Sequence, residues 1–196
     1  MNSKNRYPFI LIFSVLVATA AFSTLPVWGQ NEYGKPITNC NCNAYVVDTD
    51  PAGTNVRTGP GTDYTVIGTL PTGRPVRVHI AGSVGEWMRI SSYTVFDEAA
   101  KGSSTDIDGW VSGKLLAVTT RVSTYAADDS RGFVTIYESN SYKSHDDVLA
   151  EIGRIPVNSA ITLADAHGNW VKVNYKGVEG WLDPVSFCGD PFNECH

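Results

Sequence analysis

The residues best equipped to hold a ligand gather around Asn55-Val56-Arg57-Thr58-Gly59-Pro60-Gly61 and the positions that follow it. Asn55 and Arg57 carry planar donors suited to backbone carbonyls or a carboxylate. Tyr64, Trp87 and Trp110 add aromatic area that loses little side-chain entropy on binding. Together they predict a shallow aromatic groove for an extended peptide. The competing reading is structural: either tryptophan packs under a neighbouring loop, and Asn55 and Arg57 only satisfy the backbone of the Gly-Pro-Gly turn.

Four cysteines sit near the ends, Cys40 and Cys42 before this stretch and Cys188 and Cys195 far beyond it. An exported chain meets oxidising conditions, so an even count reads first as disulfides. A ring closed by Cys40 and Cys42 is very small, which favours cross-pairing of the two ends over two local bridges. A four-cysteine zinc site is the remaining reading, against which stands the lack of short paired spacing on both sides. Asp48-Thr49-Asp50 has the start of a calcium loop, but Ala52 and Gly59 stand where later oxygen ligands belong, so it reads as a polar turn. His79 falls on the solvent side of an alternating strand and reads as a surface histidine. The chain has no Gly-x-Ser-x-Gly elbow, no His-Glu-x-x-His and no glycine-rich phosphate loop, and its cysteines lie outside any folded catalytic context. The expectation is a protein that is not an enzyme and needs no cofactor.

The elements that must position these residues are short strands. With 18 Gly and 10 Pro in 196 residues, the chain punctuates itself too often for long helices. Val76, Val78 and Ile80 alternate with Arg77 and His79. Met88 and Ile90 likewise share one face, leaving Trp87 and Arg89 on the other; Trp110 lies opposite Val111 in the same way. The run from Ser92 to Ile107 is polar and small, and reads as a long loop with a helical turn near Asp97 to Ala100.

Residues 1–29 have a basic start, an apolar core from Phe9 to Phe22 and a small-residue site at Val27-Trp28-Gly29, the pattern of a cleaved export signal. That core is shorter than the roughly 20 residues of a membrane span. Removing it takes away Lys4 and Arg6 and no acidic residue, moving the formal charge from −5 to −7. An acidic chain is a poor general binder of nucleic acid or anionic lipid.

The first set of signals recurs. Ile152-Gly153-Arg154-Ile155-Pro156 matches Ile67-Gly68-Thr69-Leu70-Pro71, Trp170-Val171-Lys172-Val173 matches Trp87 to Ile90, and Gly180-Trp181-Leu182 matches Gly109-Trp110-Val111. Val134 to Tyr137 takes the place of the strand at Asn55 to Arg57, and Tyr125 that of Tyr45. The second copy has Tyr137 where the first has Arg57, and a longer polar loop, Glu138 to Asp147, in place of Gly-Pro-Gly. Asp146 to Ile152 has a local helical pattern, which the repeat overrides in favour of strand from Val148 onward. Tyr137, Tyr142, Trp170 and Trp181 are candidates for a second groove, with binding expected chiefly on the first copy.

Asn-Val-Arg-Thr-Gly-Pro-Gly, followed by Val-Ile-Gly-Thr-Leu-Pro-x-Gly, Trp-x-Arg-Ile and Gly-Trp-Val, resembles the bacterial SH3-like domain. The resemblance implies an all-β fold of two tandem small barrels: residues 44–118 and a divergent copy at 119–186, between cysteine-bearing segments at 30–43 and 187–196. It also implies a periplasmic or cell-wall-associated targeting module for peptidoglycan peptides. A secreted adaptor that docks a protein partner through its acidic surface is the alternative.

Overall fold

A computed structural model describes residues 34, 36–121, 132–140 and 149–192. Among the described residues, thirteen strands carry the fold. The first seven are β1 (Thr38–Val46), β2 (Thr54–Arg57), β3 (Val66–Leu70), β4 (Val76–Val84), β5 (Trp87–Phe96), β6 (Gly102–Ser112) and β7 (Leu116–Thr120). The rest are β8 (Phe133–Tyr137), β9 (Glu151–Pro156), β10 (Ala160–His167), β11 (Trp170–Tyr175), β12 (Val178–Leu182) and β13 (Phe187–Cys188). They form one open antiparallel sheet in the order β3-β2-β6-β5-β4-β1-β7-β10-β11-β12-β8-β9, with β13 on β7. The two expected units are thus joined in one sheet, and β7 is the joint.

The pairing of β2 to β6 is repeated by β8 to β12. Arg57 faces Trp110, which faces Arg89; Tyr137 faces Trp181, which faces Lys172. The bulge beside each of these residues lies on the partner strand, where Ile67 of β3 and Ile152 of β9 are the extra residues next to Val66 and Glu151. Gly109 and Gly180 occupy equivalent crossings, where a side chain would strike Val56 and Ile67 in one case and Ile136 and Ile152 in the other.

β7 belongs to both sets. It closes the first by pairing with β1 and opens the second by pairing with β10 and β13. Thr119 faces Ala160 and Cys188 as Tyr45 faces Arg77 and Ala117. Thr119 thus pairs as Tyr45 does, and Tyr125 lies outside the described residues. One cluster of buried side chains consequently runs through the whole sheet, from Ala44, Val56 and Ile80 to Val134, Ile155 and Leu182.

Two further expectations are corrected. Cys40 is joined to Cys42 within β1, in place of the expected cross-pairing of the ends. A bulge between Asn39 and Cys42 puts an extra residue into the strand and brings the two Cα atoms to 5.7 Å, so the small ring closes inside a regular sheet. Cys188 is also disulfide-bonded, and Cys195 lies outside the described residues. The stretch from Ser92 to Ile107 is no loop: β5 and β6 continue as a hairpin to a turn held by Asp97, whose carboxylate accepts from the N–H groups of Ala99 and Lys101. Its β-branched and aromatic residues extend the ladder, Val95 and Tyr93 pairing back onto β4. β1 begins at Thr38 and β13 lies beyond residue 186, so strand extends into both cysteine-bearing segments. From Glu151 onward the repeat's strand prediction agrees with β9.

Candidate functional site

The Gly-Pro-Gly loop is built around two side chains. Arg57 sits opposite the β3 bulge, and one of its guanidinium nitrogens donates to the carbonyls of Thr62 at 2.9 Å and Tyr64 at 2.8 Å. The loop neck is closed by Thr58 N–H to the Thr65 carbonyl, 2.9 Å. The Tyr64 ring lies against Gly59, where any Cβ would collide with it, and close to Gly61. Glycine at position 59 is therefore a space requirement of the tyrosine. Asn55, on the same face of β2 and opposite Thr69, is exposed.

Trp110 is not an open groove wall. It is 2 % exposed, although it stands outside the main cluster of buried side chains. Alternation correctly puts it on the far face from Val111; what the sequence does not show is that this face is covered there. Trp110 lies in a row between Arg57 and Arg89, two residues whose long side chains can shield an indole. Trp87 remains partly exposed, two residues from Arg89 along β5.

Arg89 and Asp108 are the residues that the sequence reading passed over. Arg89 donates from Nε and Nη2 to the two oxygens of Asp108, at 2.7 and 2.6 Å. The hydrogen bond from Arg89 holds the Asp108 carboxyl below its ordinary value, with a smaller opposing contribution from desolvation and a further lowering from the Arg89 charge. The signal was available, since Arg89 shares the parity of Trp87 and Asp108 immediately precedes the Gly-Trp pair.

The first set thus brings Asn55, Arg57, Arg89, Asp108 and Trp87 to one outer face above a buried Trp110, with Tyr64 filling the adjoining loop. This face can hydrogen-bond an extended ligand at its edge and stack one ring on Trp87. In the second set Tyr137, Trp170 and Trp181 come together on the equivalent face, each partly exposed, and Tyr142 lies outside the described residues. Asp48 and Asp50 accept hydrogen bonds from the N–H groups of Asp50 and Ala52, a turn and not a metal loop. His79 Nδ1 is 3.3 Å from Asn43 Oδ1 at the surface.

Residues 52–117 match the family described as the bacterial SH3 domain, a segment that begins just before β2 and ends within β7. Over 147 residues the chain is 28 % identical to a protein of Bacillus subtilis (strain 168) described as "Putative N-acetylmuramoyl-L-alanine amidase YrvJ". The alignment takes in 70 % of this chain and 25 % of that protein, so this chain spans about a quarter of its relative. Among the described residues, no helix is long and apolar enough to cross a membrane.

Proposed function

We propose that this chain is an exported, non-catalytic module that binds the bacterial cell wall, with the outer face of β2, β6 and β5 holding a peptidoglycan peptide. The observation that carries this reading is that the segment matching the bacterial SH3 domain, 52–117, contains the whole clamped loop and all the donors of that face. Similarity to a protein described as a "Putative N-acetylmuramoyl-L-alanine amidase" supports the wall as the target. β8 to β12 act as a second, divergent copy, a reading supported by their identical pairing. Export through residues 1–29 places the chain in the oxidising surroundings in which a Cys40–Cys42 bridge persists.

The test is sedimentation of the exported chain with purified peptidoglycan. Co-sedimentation is expected. If the chain stays in the supernatant and one secreted protein is recovered with it from culture fluid, the adaptor reading replaces this one.

A further inference from the structure

Trp110 and Trp181 occupy equivalent positions, yet they are finished differently. Trp110 is flanked by the arginine that clamps its loop and is 2 % exposed. Trp181 is flanked by Tyr137, which has no guanidinium to do the same, and stays partly exposed. The neighbouring positions have changed with it. The Tyr137 ring meets Trp170 edge-on, with centroids 6.0 Å apart and planes at 75°. The Lys172 ammonium stands 6.0 Å from the Trp181 ring centre and pairs with Glu179 at 2.5 Å. Beyond Tyr137 the row continues on β9 with Glu151, which is itself paired with Arg154 at 2.6 Å.

We propose that β8, β11 and β12 form a second binding site, which takes pyranose rings of an uncharged polysaccharide. An aromatic face carries negative potential, and the C–H groups on one side of a pyranose are electropositive, so sugar and ring stack. The cations and carboxylates along the row are paired with each other, which favours an uncharged ligand over an ionic one. Lys172 and Glu179 side by side at the Trp181 edge offer a donor and an acceptor, the combination that adjacent hydroxyl or acetamido groups require. The first set offers one partly exposed ring, Trp87, and lacks the second, because its equivalent of Trp181, Trp110, is covered.

The experiment is titration of the exported chain with a tetramer of β-1,4-linked N-acetylglucosamine, followed by indole N–H chemical shifts and tryptophan fluorescence. Shifts at Trp170 and Trp181 are expected, with affinity lowered about tenfold or more by Trp181→Ala. Trp87→Ala should bind the sugar as the unaltered chain does. Should Trp181→Ala fail to fold, Tyr137→Leu keeps an apolar side chain in place and should still weaken the sugar. No indole shift at millimolar sugar would overturn the proposal, as would unchanged affinity in folded Trp181→Ala and Tyr137→Leu proteins. So would an uncharged extended peptide that produces these shifts when the sugar does not. The site stands apart from the peptide face of the first set: failure of the sugar titration with wall sedimentation intact removes this site alone.

Discussion

At the scale of single residues, burial separates what holds the loop from what can meet a ligand. Trp110 is a covered aromatic, so Trp110→Ala should cost about 3 kcal/mol or more of stability, as loss of a buried ring does. Urea denaturation checks this, and a cost near zero would mean that the indole is not enclosed. Asp108 makes a pH-dependent contribution. Its folded-state pKa is depressed, so the stabilisation is present above its ordinary value of 3.8 and is lost as pH falls through the lower folded value. Because Asp108 is largely exposed, that contribution is small. Arg89→Met should flatten the acid limb of the melting-temperature profile below pH 4; an unchanged limb would show that the pair does not hold in solution. Residue types announced the face, since Asn55, Arg57, Trp87 and Trp110 all lie on it. Their exposure was not legible, because alternation gives the side of a strand and says nothing of what passes over it.

At the scale of elements, most of the strands could be read in the sequence, while the joint between the two sets could not. Trp-x-Arg-Ile and Gly-Trp-Val set β5 against β6 through Met88, Ile90 and Val111, and the second copy does the same with Val171, Val173 and Leu182. Leu115 to Val118 reads as one closing strand, and nothing local in it reveals that both edges of β7 are used by two different sets. Long-range pairing decides that, as it decides the Ser92 to Ile107 hairpin, whose polar residues look like loop until β4 is placed beside them. Sharing of β7 has a consequence for fragments. Residues 113–192 should give a cooperative thermal transition by circular dichroism, and residues 121–192, which lack that strand, should not. A cooperative transition in the shorter fragment would show that β7 is dispensable to the second set. The same logic makes 36–121 a more stable first fragment than 44–118, because the latter drops the Thr38 to Asn43 ladder onto β4.

At the scale of the whole molecule, the two sets are held as one body by contacts at both ends of the chain. Gly168 and β1 exchange backbone hydrogen bonds, its carbonyl accepting from Asn41 at 2.7 Å and its N–H donating to Asn39 at 2.8 Å, beside the Cys40–Cys42 bridge. Buried Ser83 lies 2.6 Å from Asp165 Oδ1 and 2.7 Å from the Ala166 carbonyl, donating to one at a time across the seam. After β13, Asp190 pairs with Arg77 at 2.8 Å, and Phe192 meets Phe96 edge-on at 5.2 Å. Asp190→Ala strips the mostly buried partner from Arg77 and should lower stability by about 1–3 kcal/mol. A melting temperature equal to that of the unaltered chain would show that this end is not fastened. The continuous sheet also fixes the spacing between the outer face of β2, β6 and β5 and the aromatic face of β8, β11 and β12.

The central claim is that the outer face of β2, β6 and β5 binds the wall. A saturation isotherm of the exported chain on purified peptidoglycan tests it most directly, measured beside Trp87→Ala with melting temperatures for both. The account predicts saturable binding by the unaltered chain and about tenfold weaker binding by a Trp87→Ala protein that melts where the unaltered chain does. A folded Trp87→Ala protein with an isotherm superimposable on that of the unaltered chain, or an unaltered chain that never saturates the wall, would contradict it.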